Sequence, residues 1–169
     1  MEALKVIMSR RSIRSYSNVP VSEEAVETLL RAAMHAPSAG NQQPWHFVVI
    51  RDREIMERIM EVHPYAKMLA EAPVAILVCG DEDKEDFKGY WVQDCSAATE
   101  NILLAATAMG LGSVWLGIYP LHDRVEGIRK IVGLPGNITP LSLVPIGYPN
   151  ESKPSHDRYQ QERVHKERW

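Results

Sequence analysis

The run Arg10-Arg11-Ser12-Ile13-Arg14 places three guanidinium groups and a hydroxyl within five positions. Arginine forks match the paired oxygens of phosphate or carboxylate, and a hydroxyl adds one more donor. The same run also suits a solvated basic patch or a set of surface ion pairs. A nucleic-acid grip asks for further basic and aromatic residues nearby, and the sequence lacks them. A second segment, Ala36-Pro37-Ser38-Ala39-Gly40-Asn41-Gln42-Gln43-Pro44-Trp45, sets small and amide residues between two prolines. Asn and Gln carry both donor and acceptor, which suits the edge of a planar heterocycle such as a pyrimidine-dione. By composition alone, ordinary helix-to-strand punctuation is the better reading of this segment. The third segment is Trp115-Leu116-Gly117-Ile118-Tyr119-Pro120, at the end of an expected strand. Ligands gather beside strand ends in α/β architectures, and a strand entering a tight turn is the plainer alternative.

Other chemistries are missing from the sequence. It has no G-x-x-x-x-G-K-[ST] and no G-x-S-x-G, so neither a P-loop nor a nucleophile elbow is expected. Gly110, Gly112 and Gly117 start with G-x-G spacing but follow a helix pattern, which fits a helix stop and close backbone packing. Histidines 35, 46, 63, 122, 156 and 165 show no H-E-x-x-H pattern, and no two lie three or four residues apart. No metal site is expected on that spacing. Cys79 falls in an apolar strand pattern and Cys95 on an apolar helix face, so both read as inert core thiols.

The elements that must position these segments follow from periodicity. Leu4, Ile7 and Met8 give a short amphipathic helix over 2–9, leading into the basic run. Ser22 suits an N-cap, with Glu23 and Glu24 in the first turn and Val26, Leu29, Leu30 and Ala33 on one face. Pro37 ends that helix near Ala36. His46–Ile50 and Val74–Cys79 read as strands, with a helix marked by Ile55, Ile59 and Val62 between them. Residues 81–94 carry six acidic and two basic side chains, which reads as a solvated loop and helix entry. Trp91, Cys95, Ala98, Ile102, Ala105 and Met109 make the longest apolar face, a central buried helix stopped by Gly110. Ser113–Leu116 reads as a strand. A helix on Val125, Ile128 and Val132 closes at Gly133, and a strand runs through Leu141–Ile146. The tail from Gly147 is polar and is expected to lie across a surface.

With 169 residues, 45% of them hydrophobic, the chain fits one domain able to bury about two-thirds of its unfolded surface. A formal charge of −3 argues against a protein built to neutralise nucleic-acid phosphates. No apolar run approaches the ~20 residues that span a bilayer, and the N-terminus lacks the order of a signal peptide. A cytoplasmic enzyme is the expectation. Two cysteines make no disulfide framework.

Together these pieces resemble the nitroreductase family of FMN-dependent oxidoreductases. The likeness covers nearly the whole chain. It rests on RRSIRSY, APSAGNQQPWHF, YAKMLAEAPVAILVC, DCSAATENILLAATAMGLGSVWLG, LPGNITPLSLVPIGYP and KPSHDRYQQERVH. The resemblance implies an α+β fold over residues 1–169, with a mainly antiparallel central sheet flanked by helices. It also implies an intertwined homodimer with FMN at the subunit interface and the tail 147–169 packed on the partner subunit.

By the same resemblance, Arg10, Arg11 and Ser12 hold the phosphate and ribityl chain, with Arg158 as a second clamp and Lys153 as a further candidate. Arg14 and Lys67 lie at the N1–O2 end of the ring, where a cation stabilises the charge of the reduced flavin. The backbone N–H groups of Leu116 and Gly117 face N5 and O4. Pro37, Ser38 and Asn41 approach from the other chain. The implied reaction is ping-pong, with NADH or NADPH giving hydride to N5 before an electron-poor acceptor, a nitroaromatic or quinone, takes its place. No catalytic side chain is expected. The stretches from Cys79 to the central helix and from Gly117 to Pro135 are shorter than in larger members, which implies a more open pocket. A specialised member acting on flavin, a halogenated aromatic or a peptide precursor, and a non-catalytic flavin-binding module, are the alternatives.

Overall fold

Strand β2 (Val74–Asp81) runs through the middle of the molecule with every residue buried, because helices cover both of its faces. Its side chains divide by the two-residue period of a strand. Ala75, Leu77 and Cys79 join one apolar cluster, while Val74, Ile76 and Val78 join the other. A computed structural model describes residues 2–169.

On one side β2 pairs antiparallel with β1 (Trp45–Ile50), from Trp45 opposite Gly80 to Ile50 opposite Ala75. On the other it pairs antiparallel with the ten-residue strand β5 (Ile138–Gly147), with an irregularity at Val78/Cys79. Two short strands, β3 (Gly112–Ser113) and β4 (Leu116–Gly117), both pair antiparallel with β5. The sheet is therefore antiparallel throughout its paired strands, in the order β1-β2-β5-β3. The expected single strand Ser113–Leu116 is two pieces, because Val114 and Trp115 leave the ladder between them.

Helix α1 (Ala3–Ser9) precedes the basic run. Helix α2 (Glu23–Met34) begins where expected, with the Ser22 hydroxyl accepting the Ala25 N–H at 3.1 Å, a cap worth about 1 kcal/mol. Helix α3 (Arg53–Val62) is capped by Asp52 in the same way. The eighteen-residue α4 (Trp91–Ala108) lies with α2 on one face of the sheet, and α5 (His122–Val132) lies with α3 on the other. Gly133 closes α5 in the left-handed region, at φ 70°. The buried face of α4 is wider than its apolar spacing indicates: it takes in Asp94 and Thr99, while Met109 is 37% exposed beyond the last turn. Thr99 is satisfied there by a 2.9 Å hydrogen bond between its hydroxyl and that of Ser142.

The acidic stretch 81–94 departs from the solvated reading. Asp81, Glu85 and Asp94 are buried, each because backbone N–H groups need an acceptor. Asp81 accepts from the Asp83 N–H and Asn137, Glu85 from the Trp91 N–H, and Asp94 from the Ala39 N–H. Burial works against the charged form of Asp81, but hydrogen bonds from Asp83 N–H, His46 and Asn137 outweigh it and hold its carboxyl below the usual range.

Candidate functional site: two clefts along the basic run

The segment 10–14 lies against the edge of the sheet. Ser12 forms a parallel bridge with Ser113, and the Ile13 N–H donates to the Ser113 carbonyl at 2.9 Å. Gly112 permits that approach, since a Cβ there would stand 2.7 Å from Ile13 Cγ2. Burying Ile13 turns its neighbours outward in both directions along the run. Arg10 and Arg11 open onto one cleft and Arg14 onto another.

The first cleft, about 470 Å³, brings Arg10 and Arg11 together with Arg158 from the tail. Arg10 Nε lies 3.6 Å from Glu100 on α4. Arg11 is held by carbonyls: its Nε donates to Pro154 O at 2.9 Å, and its Nη1 to Met8 O and Arg10 O. Its Nη2 is buried and has no hydrogen-bond partner among the described residues. Ser12 is adjacent, but its carbonyl is already taken by Lys153 Nζ at 2.8 Å, and Lys153 also pairs with Glu151. The Arg14 N–H donates to Glu151 and, with Lys153, holds that carboxyl below its usual range. These contacts tie the start of the tail to the basic run. From Pro154 onward every residue is exposed.

The second cleft, about 630 Å³, gathers Arg14, Lys67, Leu116 and Gly117. Its volume falls within the ~300–1,000 Å³ of ligand clefts. Lys67 comes from the turn Lys67–Ala70, whose carbonyl ends are stapled by the Arg53 guanidinium to Leu69 O, Ala70 O and Ala72 O. Three residues outside the sequence expectation stand with them: His63, Tyr65 and Arg124. His63 is 1% exposed. Its Nδ1 accepts the Tyr65 N–H, so its Nε2–H donates to Gly117 O at 3.0 Å. Burial outweighs the hydrogen bond to Gly117 O and, with a smaller push from the Arg124 charge, keeps the imidazole below its ordinary pKa and neutral. Arg124 Nη1 donates to the same carbonyl at 2.9 Å, and its guanidinium sits 5.5 Å from the Tyr65 ring centroid. The apolar spacing of α3 and α5 hints at none of these three, since His63 and Arg124 meet at the Gly117 carbonyl and Tyr65 joins them through its N–H to His63 and its ring beside Arg124.

Pro37, Ser38 and Asn41 belong to neither cleft. Asn41 ends the turn Ala39–Asn41 beyond α2, and Pro37 and Ser38 lead into it. Asp94 pins this turn, accepting the Ala39 N–H at 3.0 Å and Gln42 Nε2 at 2.7 Å. Gly40 has φ 54° and faces the Phe87 ring so closely that a Cβ would meet it at 2.2 Å. The loop is thus held rigidly, with Asn41 exposed at its crest.

Cys79 and Cys95 are both buried. Burial pushes the Cys79 thiol up to about 12 and raises Cys95 as well, so neither is poised as a nucleophile. Among the described residues no group of His, Cys, Asp or Glu is placed to hold a metal ion, and no helix is long and apolar enough to cross a membrane.

Comparison with known proteins bears on this geometry. The model of the Nitroreductase family matches residues 7–63 and 60–148. A protein of Methanothermobacter thermautotrophicus, provisionally named NADH dehydrogenase/NAD(P)H nitroreductase, is 52% identical over all of this chain and 88% of its own length. A crystal structure from Parabacteroides distasonis, with the same provisional name, superimposes with a TM-score of 0.95 at 42% identity, covering 99% of this chain and 98% of that one. A further structure, provisionally a nitroreductase of Desulfovibrio desulfuricans in complex with FMN, has a TM-score of 0.86 at 31% identity. It covers 100% of this chain and 98% of that one.

Proposed function

The chain belongs to the nitroreductase family, and from that membership we propose that it is an FMN-dependent oxidoreductase carrying hydride equivalents from NAD(P)H to an electron-poor acceptor, a nitroaromatic or quinone. The observation that carries this reading is the second cleft. Three cations line it, and among the described residues none of them lies within 4 Å of a carboxylate. Arg14 and Lys67 are exposed and Arg124 half-buried, so water can hydrate all three, and their shared effect is a positive field in the cleft that draws an anionic or electron-rich ligand. In the neighbouring cleft the buried Arg11 Nη2, without a partner among the described residues, suits a phosphate oxygen.

The residues present fit FMN. Arg10, Arg11, Ser12 and Arg158 would hold its phosphate and ribityl chain, with Lys153 fixing the backbone of Ser12. Arg14 and Lys67 would hold positive charge at the N1–O2 end of the ring, and the Leu116–Gly117 backbone would line the opposite edge. Pro37, Ser38 and Asn41, lying apart from both clefts, would serve the site of a second copy of the chain, with the tail 147–169 packed across that copy. When bound, FMN supplies the two-electron carrier that oxidises NAD(P)H and in turn reduces the acceptor. The chain's own work is to hold and exclude: no side chain attacks substrate, and the buried thiols stay protonated.

Adding FMN to apoprotein tests the reading. A yellow complex with one FMN per chain is expected. A colourless protein that takes up no FMN would overturn it. The specialised-acceptor alternative shares this geometry and differs only in what enters beside the ring.

A further inference from the structure

Arg124 is not needed to hold a flavin by the assignments above, yet the fold invests in placing it. It stands in the first turn of α5, at the helix end whose dipole already favours anions. One nitrogen is tethered to Gly117 O, and the planar group lies over Tyr65, an aromatic left 69% exposed. His63 fixes both partners of this arrangement, accepting the Tyr65 N–H and donating to Gly117 O. The nearest acid in sequence, Asp123, lines the adjoining depression and not this cleft. A tethered cation beside an exposed ring, with no carboxylate within 4 Å among the described residues, is a preorganised site for a flat ligand with a negative group.

Resting on the reading of the cleft as the flavin site, we propose that Arg124 and Tyr65 form an anion-and-ring clamp at its rim, selecting a planar electron-transfer partner that carries a carboxylate or phosphate. Arg14 and Lys67 serve the flavin, whereas Arg124 serves the molecule that exchanges electrons with it. The negative group has two sources, an acidic aromatic acceptor or the phosphates of the nicotinamide nucleotide. The guanidinium recognises either.

The test uses the oxidised, FMN-loaded protein, titrated with benzoate and with benzamide and followed by perturbation of the flavin absorbance. The two probes share a ring and differ in charge. Benzoate is expected to bind about tenfold or more tightly than benzamide. R124Q keeps a donor for Gly117 O but removes the charge, and should bring the ratio close to one. R124K, a point charge without the fork, should restore part of it. In a second arm, anaerobic reduction by NADH is followed in the wild type and R124Q. A tenfold rise in the NADH concentration for half-maximal rate in R124Q, with a wild-type benzoate ratio near one, assigns the clamp to the nucleotide phosphates. A yellow wild-type protein with a ratio near one, or with a ratio that R124Q leaves unchanged, together with an NADH dependence the substitution does not alter, overturns the clamp alone. A chain that takes up no FMN overturns the site reading and the clamp with it.

Discussion

His63 and Gly117, fifty-four residues apart, are joined by a 3.0 Å hydrogen bond from the imidazole Nε2–H to the glycine carbonyl. The bond ties the end of α3 to strand β4, and so fixes the backbone that lines the second cleft. It requires a neutral ring with Nδ1 free to accept the Tyr65 N–H.

That requirement makes stability depend on pH. The folded protein keeps His63 neutral below the ordinary value of about 6.5, whereas the unfolded chain protonates near it. The stabilisation is therefore complete above about pH 6.5 and is lost as pH falls from there through the lower folded value. Thermal unfolding between pH 8 and 5 should show Tm falling on the acidic side. H63Q, which keeps a donor but does not titrate, should flatten that fall. An equal slope in both proteins would remove His63 as the source.

Arg10 is expected to hold phosphate. R10A should weaken FMN binding by about 1.5–3 kcal/mol, the worth of a hydrogen bond to a charged group. Equilibrium titration measures it, and unchanged affinity would take Arg10 out of the phosphate site.

With FMN bound as proposed, Arg14 and Lys67 would bear on its redox potential. Removing either cation should destabilise reduced flavin more than oxidised flavin and lower the two-electron midpoint by about 30–60 mV, taking a charged hydrogen bond as the scale. Spectroelectrochemical titration of R14A and K67A checks this. A midpoint that does not move contradicts the placement.

The turn carrying Ser38 and Asn41 depends on Asp94 and Gly40. D94A strips the acceptor from Ala39 N–H and Gln42, and should cost about 1–3 kcal/mol of unfolding free energy. G40A demands positive φ of a residue with a Cβ and collides with Phe87, so a loss of about 1 kcal/mol or more is expected. Urea denaturation reads both, and a loss well under 0.5 kcal/mol would show that the turn tolerates release.

These variants mark where sequence pattern is informative and where it stops. The helices were legible because Val26, Leu29 and Ala33, or Val125 and Ile128, repeat at helical spacing and are buried as that spacing implies. β2 was legible because a continuous apolar run is what a strand covered on both faces needs. Charge pattern alone makes Asp81, Glu85 and Asp94 look solvated, because their partners, Asn137, Trp91 N–H and Ala39 N–H, are set by tertiary placement that it does not encode. The division of β3 from β4 was hidden for a related reason: β-branched and aromatic residues at 114 and 115 suit a strand, but β5 offers them no ladder. In the site, the basic run and Lys67 stood out by type, whereas His63, Tyr65 and Arg124 meet only through Gly117 O and one ring.

If this chain carries electrons through a bound flavin, anaerobic mixing of the FMN-loaded protein with NADH or NADPH should bleach the flavin absorbance band rapidly. Adding a quinone or nitroaromatic should then restore it. A bound flavin that neither nucleotide bleaches would contradict that role, and would leave a flavin-binding module without the oxidoreductase.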